Sequence, residues 1–295
     1  MRRGVSAFLG LALALAGCSK EPPSQPPPVP APAPPVAAPA PPEPALPPPG
    51  EARLREWSEV DGEAALSLPA PPQEPLLRWD FSPGLRRVYD ISETVAQKVE
   101  RSAEGKTASA RTREKSRGVV EVVTGPDRTA LAAMRIETQE AFVDDRNALP
   151  EGAEKQPPST SEAVLSEDGA AEPRTSRGRA DARFTVQTLL ALKPGEHALA
   201  FGTVRTRVAG YAKVEQYECA RIESEFELAS DKPSERHLMR GRSIGYFALA
   251  ERKFIRAAAV VATSSRSNAR SKEGPWVTTS LDAVTTYRLQ LREGP

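Results

Sequence analysis

From about residue 80 to the C-terminal end, apolar side chains recur at every second position, the period of a strand with one buried and one wet face. Tyr89, Ile91, Val95 and Val99 share one parity and predict a first strand. The valine-rich run 118–124 meets the turn signal Gly125-Pro126-Asp127-Arg128. Ala130, Ala132, Met134, Ile136 and Phe142 then line one face, so the two runs predict a hairpin. Farther on, Ala220, Ile222, Phe226 and Leu228 alternate with Arg221, Glu223, Glu225 and Glu227. That is the pattern of an antiparallel strand solvated on one side. Two more strands, 243–249 and 254–263, flank the polar turn Ala250-Glu251-Arg252-Lys253. A last strand sets Val277, Leu281, Ala283, Tyr287, Leu289 and Leu291 on one parity, and its length predicts a bulge or a strong twist.

Two segments depart from this period. Residues 181–192 place Ala182, Val186, Leu189 and Leu190 at helical spacing and stop at Pro194-Gly195, which predicts a helix. Residues 150–179 are polar and rich in turn formers, and read as a mobile loop in which Val164 and Leu165 form at most a short strand. Eight or so strands and one helix predict a mainly β (α+β) domain over residues 76–295. Its expected form is a curved antiparallel β-sheet or half-barrel with one packed helix.

The N-terminal part has a different grammar. Arg2 and Arg3 precede the uncharged run 5–16, which is shorter than the roughly 20 residues a membrane-spanning helix needs and matches a signal-peptide core. The run ends in Leu15-Ala16-Gly17-Cys18, which resembles the lipobox of bacterial lipoproteins. The resemblance implies a signal peptide over residues 1–17, lipidation of Cys18, and attachment to a membrane through the acyl chains on that sulfur. Ser19 follows, where an aspartate would favour the inner membrane, so the outer membrane is the implied address in a cell that has one. Because each buried CH₂ contributes about 0.8 kcal/mol, several acyl chains would hold the protein stably.

Sixteen of the 30 prolines fall between Glu21 and Gly50. Proline fixes φ and removes a backbone donor, so residues 18–75 read as a disordered, lipidated tether, extended at about 3.1 Å per residue. Within it, residues 51–68 could form a short helix with Leu54, Trp57, Asp61 and Ala64 near one face, interrupted at Gly62. Net charge is +1 and the sequence pI about 7.8, which gives no field to favour nucleic acid. With Cys18 assigned to lipid, Cys219 is the one thiol left, so no internal disulfide is available and stability must come from a packed core. A lone cysteine in a β-rich domain is best explained as a small buried hydrophobe.

The order of elements also resembles a family of β-rich bacterial lipoproteins of unknown function. The carrying residues are Phe81, Pro83 and Gly84; Leu192, Pro194 and Gly195; Cys219-Ala220; and Gly241, Gly245, Tyr246 and Phe247. By analogy the resemblance implies the curved sheet with helix of lipoprotein carriers and receptors, and it implies no activity.

Candidate chemistry is thin. Gly241-Arg242-Ser243-Ile244-Gly245 fits a nucleophile elbow in letters, but the following residues read as strand and no histidine follows Ser243. Gly105-Lys106-Thr107 lacks the upstream glycine of a phosphate loop and reads as a hairpin tip. His197, Cys219 and His237 lack the spacing of a zinc site, and Asp144-Asp145 lacks the further oxygen ligands of a calcium loop. Glu223, Glu225 and Glu227 read as the solvent face of a strand. The basic run Arg111, Arg113, Lys115 and Arg117 reads as a wet strand edge. No catalytic, metal or cofactor site is expected. The expected function is a non-enzymatic envelope lipoprotein whose sheet binds an apolar ligand or an envelope protein. The alternatives are a structural or surface-display lipoprotein, or an envelope hydrolase.

Overall fold

A computed structural model describes residues 64–125, 127–148, 158–177, 190, 192–199, 202–270 and 274–292. The predicted signal peptide, the lipobox, residues 18–63 of the tether and residues 51–63 of its short helix lie outside the described residues. So does the helix predicted over 181–192, apart from Leu190 and Leu192. The short helix does not extend over 64–68 as expected, because that stretch is non-helical and Leu68 forms a β-bridge with Tyr211.

The described chain is mainly β. Its strands are β1 (Arg86–Ala103), β2 (Lys106–Thr124), β3 (Thr129–Val143), β4 (Arg146–Asn147), β5 (Ser159–Ser166) and β6 (Ala171–Arg177). They continue as β7 (Gly195–Leu199), β8 (Gly202–Val214), β9 (Tyr217–Lys232), β10 (Glu235–Ala248), β11 (Lys253–Arg270) and β12 (Trp276–Leu291). All twelve join one open antiparallel sheet in the order β6-β5-β3-β2-β1-β12-β11-β10-β9-β8-β7, with β4 beside β3. The first and last long strands therefore meet in the middle, and two meanders run outward from that seam.

Hydrogen bonds at one end show how the sheet bends. The amide of Trp79 donates to Glu167 O in the β5–β6 turn (2.8 Å), and the next amide, Asp80, donates to Arg252 O in the β10–β11 turn (3.0 Å). β5 and β11 are five strand spacings apart, on the order of 24 Å in a flat sheet. Two consecutive residues cannot bridge that distance, so the sheet curls. Leu192 N–H and Lys193 N–H both donate to Asp168 O (3.1 and 3.2 Å), which draws the chain entering edge strand β7 to the turn that leads into the opposite edge strand β6. The edges approach here without pairing.

Trp79 fills the inside of this bend. It is 0% exposed, with ring centroids 5.9 Å from Phe81, 6.4 Å from Tyr89 on β1, 6.3 Å from Phe247 on β10 and 5.5 Å from Phe254 on β11. Each such pair contributes roughly 0.5–1.5 kcal/mol beyond simple burial. Val120, Val122, Met134, Leu165, Leu190, Leu192, Ile222 and Leu289 complete the inner core. A smaller cluster on the outer face gathers Ala212, Val214, Cys219, Ile244, Tyr246, Ala248 and Ile255.

Several expectations need correction. Residues 159–177 are a core hairpin, not a loop: Ala163, Leu165 and Ala171 are at most 5% exposed. Phe142 is not on the face of Ala130–Ile136. Ser116 pairs with Thr138 but Lys115 pairs with Glu140, so Gln139 is an extra residue, and the bulge turns Phe142 outward opposite Arg113, 5.0 Å from ring centroid to guanidinium. β12 keeps an unbroken register with β1 over Thr278–Leu291 and with β11 over Trp276–Gln290, so of the bulge or strong twist expected there the bulge is absent. The bulges fall elsewhere. At Ile255 the shift lets Phe254 join the inner core while Ile255 joins the outer cluster. At Ala209 the shift is followed by Gly210, whose φ of 152° suits only glycine and brings the backbone against Leu66.

Gly241 serves close approach. It lies opposite Phe226, and a Cβ built on it would sit 2.1 Å from Phe226 Cζ. Gly241→Ala should destabilise the fold by about 1–3 kcal/mol in urea melts. In a Phe226→Ala background the penalty should largely vanish. An equal penalty in both backgrounds would place the strain in the backbone.

Candidate functional site

Alternation along the strands divides the inner face into two zones. The lower zone is the sealed core around Trp79. Above it, the same parity continues through Val95 and Val99 on β1, Leu281 and Ala283 on β12, Met239 on β10 and Leu228 on β9. All six are only half-buried. The ladder fixes their neighbours: Val99 lies opposite Leu281 and Val95 opposite Thr285. Ala283 and Met239 flank Thr263, and Met239 also faces Leu228. Hydroxyls of Thr263, Ser265 and Thr285 interrupt the apolar surface, and the carboxylates of Glu93 and Glu114 share this face. Gln97 also lies on this face, between Val95 and Val99 and opposite Ala283, so the upper zone is a mixed surface of half-buried apolar and polar side chains.

His237 stands at the rim of this zone. Its Nε2 lies 2.7 Å from Glu235 Oε1, and that hydrogen bond holds the Glu235 carboxyl below its ordinary range. Ser265 is its cross-strand partner on β11. A histidine, a carboxylate and a serine thus share one corner, but all sit within strands whose backbone amides are committed to the ladder. Among the described residues nothing at that corner supplies oxyanion donors.

The outer face carries a lattice of cross-strand ion pairs. Arg240 bonds Glu227 (2.9 Å) and Arg242 bonds Glu225 (2.8 Å), each directly opposite its partner. Glu223 departs from the expected solvent face. It is 8% exposed and clamped between Arg207 and Arg221, 2.7 Å from each, because long guanidinium stems from both sides cover it. Toward the other flank, Arg111, Arg113, Lys115 and Arg117 are exposed on β2. β2 lies between β1 and β3, so this row is an outer face and not the strand edge expected.

The remaining candidates fall as follows. Ser243 is 4% exposed in the middle of β10, with strand continuing past Gly245. Gly105 is the positive-φ tip of the β1–β2 hairpin. Asp144 and Asp145 form the tight β3–β4 turn, where Asp144 Oδ1 accepts the Arg111 amide. The backbone of His197 pairs with Val204. Among the described residues no three His, Cys, Asp or Glu side chains are grouped to hold a metal ion. No helix among them is long and apolar enough to cross a membrane. Cys18, Leu15, Ala16 and Gly17 lie outside the described residues.

No family model matches this sequence, and none of the curated proteins matches it. A crystal structure of a DUF1329 family protein from Desulfovibrio piger is weakly similar, at 9% identity and a TM-score of 0.12 over 69% of this chain and 87% of that one. A likeness of that size carries no functional argument.

Sequence reading named most of the apolar row but not Trp79, whose signal was the alternation Trp79-x-Phe81 before the Pro83-Gly84 turn. Cys219 is 0% exposed, and burial pushes its thiol up to about 12. The reactive thiolate is therefore negligible near neutral pH. A thiol reagent at mildly alkaline pH should leave Cys219 unmodified in the folded protein and label it fully in denaturant. Labelling at equal rates in both states would contradict its placement.

Proposed function

We propose that this chain is a non-enzymatic, lipid-anchored envelope protein that holds an apolar, acyl-chain ligand along the open zone of its inner face. The observation that carries this reading is the set of half-exposed apolar side chains Val95, Val99, Leu281, Ala283, Met239 and Leu228, which share one face of β1, β12, β10 and β9 above a sealed core. Soluble surfaces seldom leave so many apolar side chains together without a partner. Concavity favours a slender ligand over a protein surface, and the threonine and serine hydroxyls offer polar contacts without charge. Anchoring would come from acyl chains on Cys18 after cleavage behind Leu15-Ala16-Gly17, with Ser19 favouring the outer membrane.

Organic extraction of natively purified protein should release an acyl-chain lipid detectable by mass spectrometry. Leu281→Glu should abolish that loading while preserving the β-sheet circular dichroism spectrum. An empty wild-type protein, or unchanged binding of a fluorescent fatty acid by Leu281→Glu, would refute the ligand. Separately, palmitate supplied to producing cells should label the wild-type protein and leave Cys18→Ser unlabelled. A mature chain that begins anywhere but Cys18 would refute the anchor.

A further inference from the structure

The outer face has one row that does not match its charged surroundings. The outward-pointing residues Val260, Ala262 and Ser264 of β11 are 5%, 0% and 0% exposed, whereas the same face of β2 carries exposed basic side chains. Ser264 donates to Asp282 Oδ1 at 2.6 Å beside the Arg266–Asp282 ion pair, but the short side chains of Val260 and Ala262 at such exposure need something lying over them. The neighbouring guanidiniums of Arg240 and Arg242 reach the other way, to Glu227 and Glu225 on β9. Below the row, the Arg256 guanidinium sits 4.9 Å above the Tyr246 ring, and its buried Nε has no hydrogen-bond partner. Arg288 flanks Ala258 on the other side.

The described chain arrives at this place from its N-terminal side. Ser67 N–H and Leu68 N–H bond Tyr211 O on β8, and Ala64 N–H bonds Tyr246 Oη on β10 at 2.7 Å. Running backward from Leu68 to Ala64, the chain crosses from β8 to β10, so at Ala64 it points toward β11 and β12. Those residues, 51–63, contain five acidic side chains and two basic ones. Leu54 and Trp57 among them are spaced as neighbours on a helix. Thirteen helical residues span about 20 Å, enough to cover the strands β10 to β12.

We propose that residues 51–63 dock on the outer face across β10–β12, with Leu54 and Trp57 over Val260 and Ala262 and the acidic side chains against Arg256 and Arg288. The partner is this chain's own acidic segment, chosen by charge complementarity and by the direction of the chain at Ala64. Docking there keeps the segment off the inner face.

The test uses the full chain with the photo-crosslinker benzoylphenylalanine in place of Trp57. Adducts on Ala258, Val260, Val284 or Thr286 are expected. Adducts on the inward-facing Thr263, Ala283 or Met239, or no intramolecular adduct, would overturn the proposal. A second readout is Trp57 fluorescence, taken as the difference between wild type and Trp57→Phe. Trp57 should be shielded from acrylamide in dilute salt, and the shielding should be lost when Glu56→Lys, Glu59→Lys and Glu63→Lys are combined. Quenching equal to that of the unfolded chain before any charge is reversed would also overturn it.

Discussion

Two adjacent backbone amides, those of Trp79 and Asp80, tie together turns that belong to strands five places apart in the sheet order. The rest of the architecture follows from that tie. It fixes the curvature, and curvature turns one face of a sheet into a concave wall. The indole of Trp79 occupies the space the bend creates, and Phe81, Tyr89, Phe247 and Phe254 surround it. Arg252 strengthens the same point by donating from Nε to Arg78 O and from Nη2 to Trp79 O, each at 3.0 Å. Hydrogen bonds to a charged donor contribute more than neutral ones, roughly 1.5–3 kcal/mol.

Curvature also separates the roles of the two faces. The inner face is sealed at the Trp79 end and half-open beyond it, so a packed core and a half-exposed surface come from the same strands. The outer face holds its strands in register with paired arginines and glutamates. Exposed ion pairs are worth about 0–1 kcal/mol each, so this lattice contributes alignment and solubility more than stability. Glu223 is the exception, since two arginines enclose it and removing one would leave a buried carboxylate poorly compensated.

Much of the fold was legible in the alternation of apolar and charged residues. Tyr89 and Ile91, Ala130 to Ile136, and Ala220 to Phe226 are buried where parity places them. The misreadings have common physical causes. A bulge reverses parity without changing composition, which is why Phe142 was assigned to the wrong face. Alanine and serine carry little hydropathy signal, so the hairpin holding Ala163, Leu165 and Ala171 read as a loop. Long basic runs such as Arg111–Arg117 look alike on an edge and on the outer face of a central strand; only pairing order distinguishes them. The site was legible in part: the parity of β12 named Leu281 and Ala283, but nothing local in the sequence tells where the sealed core ends and the half-exposed zone begins.

The bend itself is open to direct measurement. Spin labels on Ala170→Cys and Lys193→Cys, with Cys18 replaced by serine and the buried Cys219 left in place, report the distance between the two edges at the Trp79 end by pulsed dipolar spectroscopy. A curled sheet predicts a single short distance set by the label arms. A distance on the order of 45 Å, as nearly ten strand spacings would give in a flat sheet, would contradict the account.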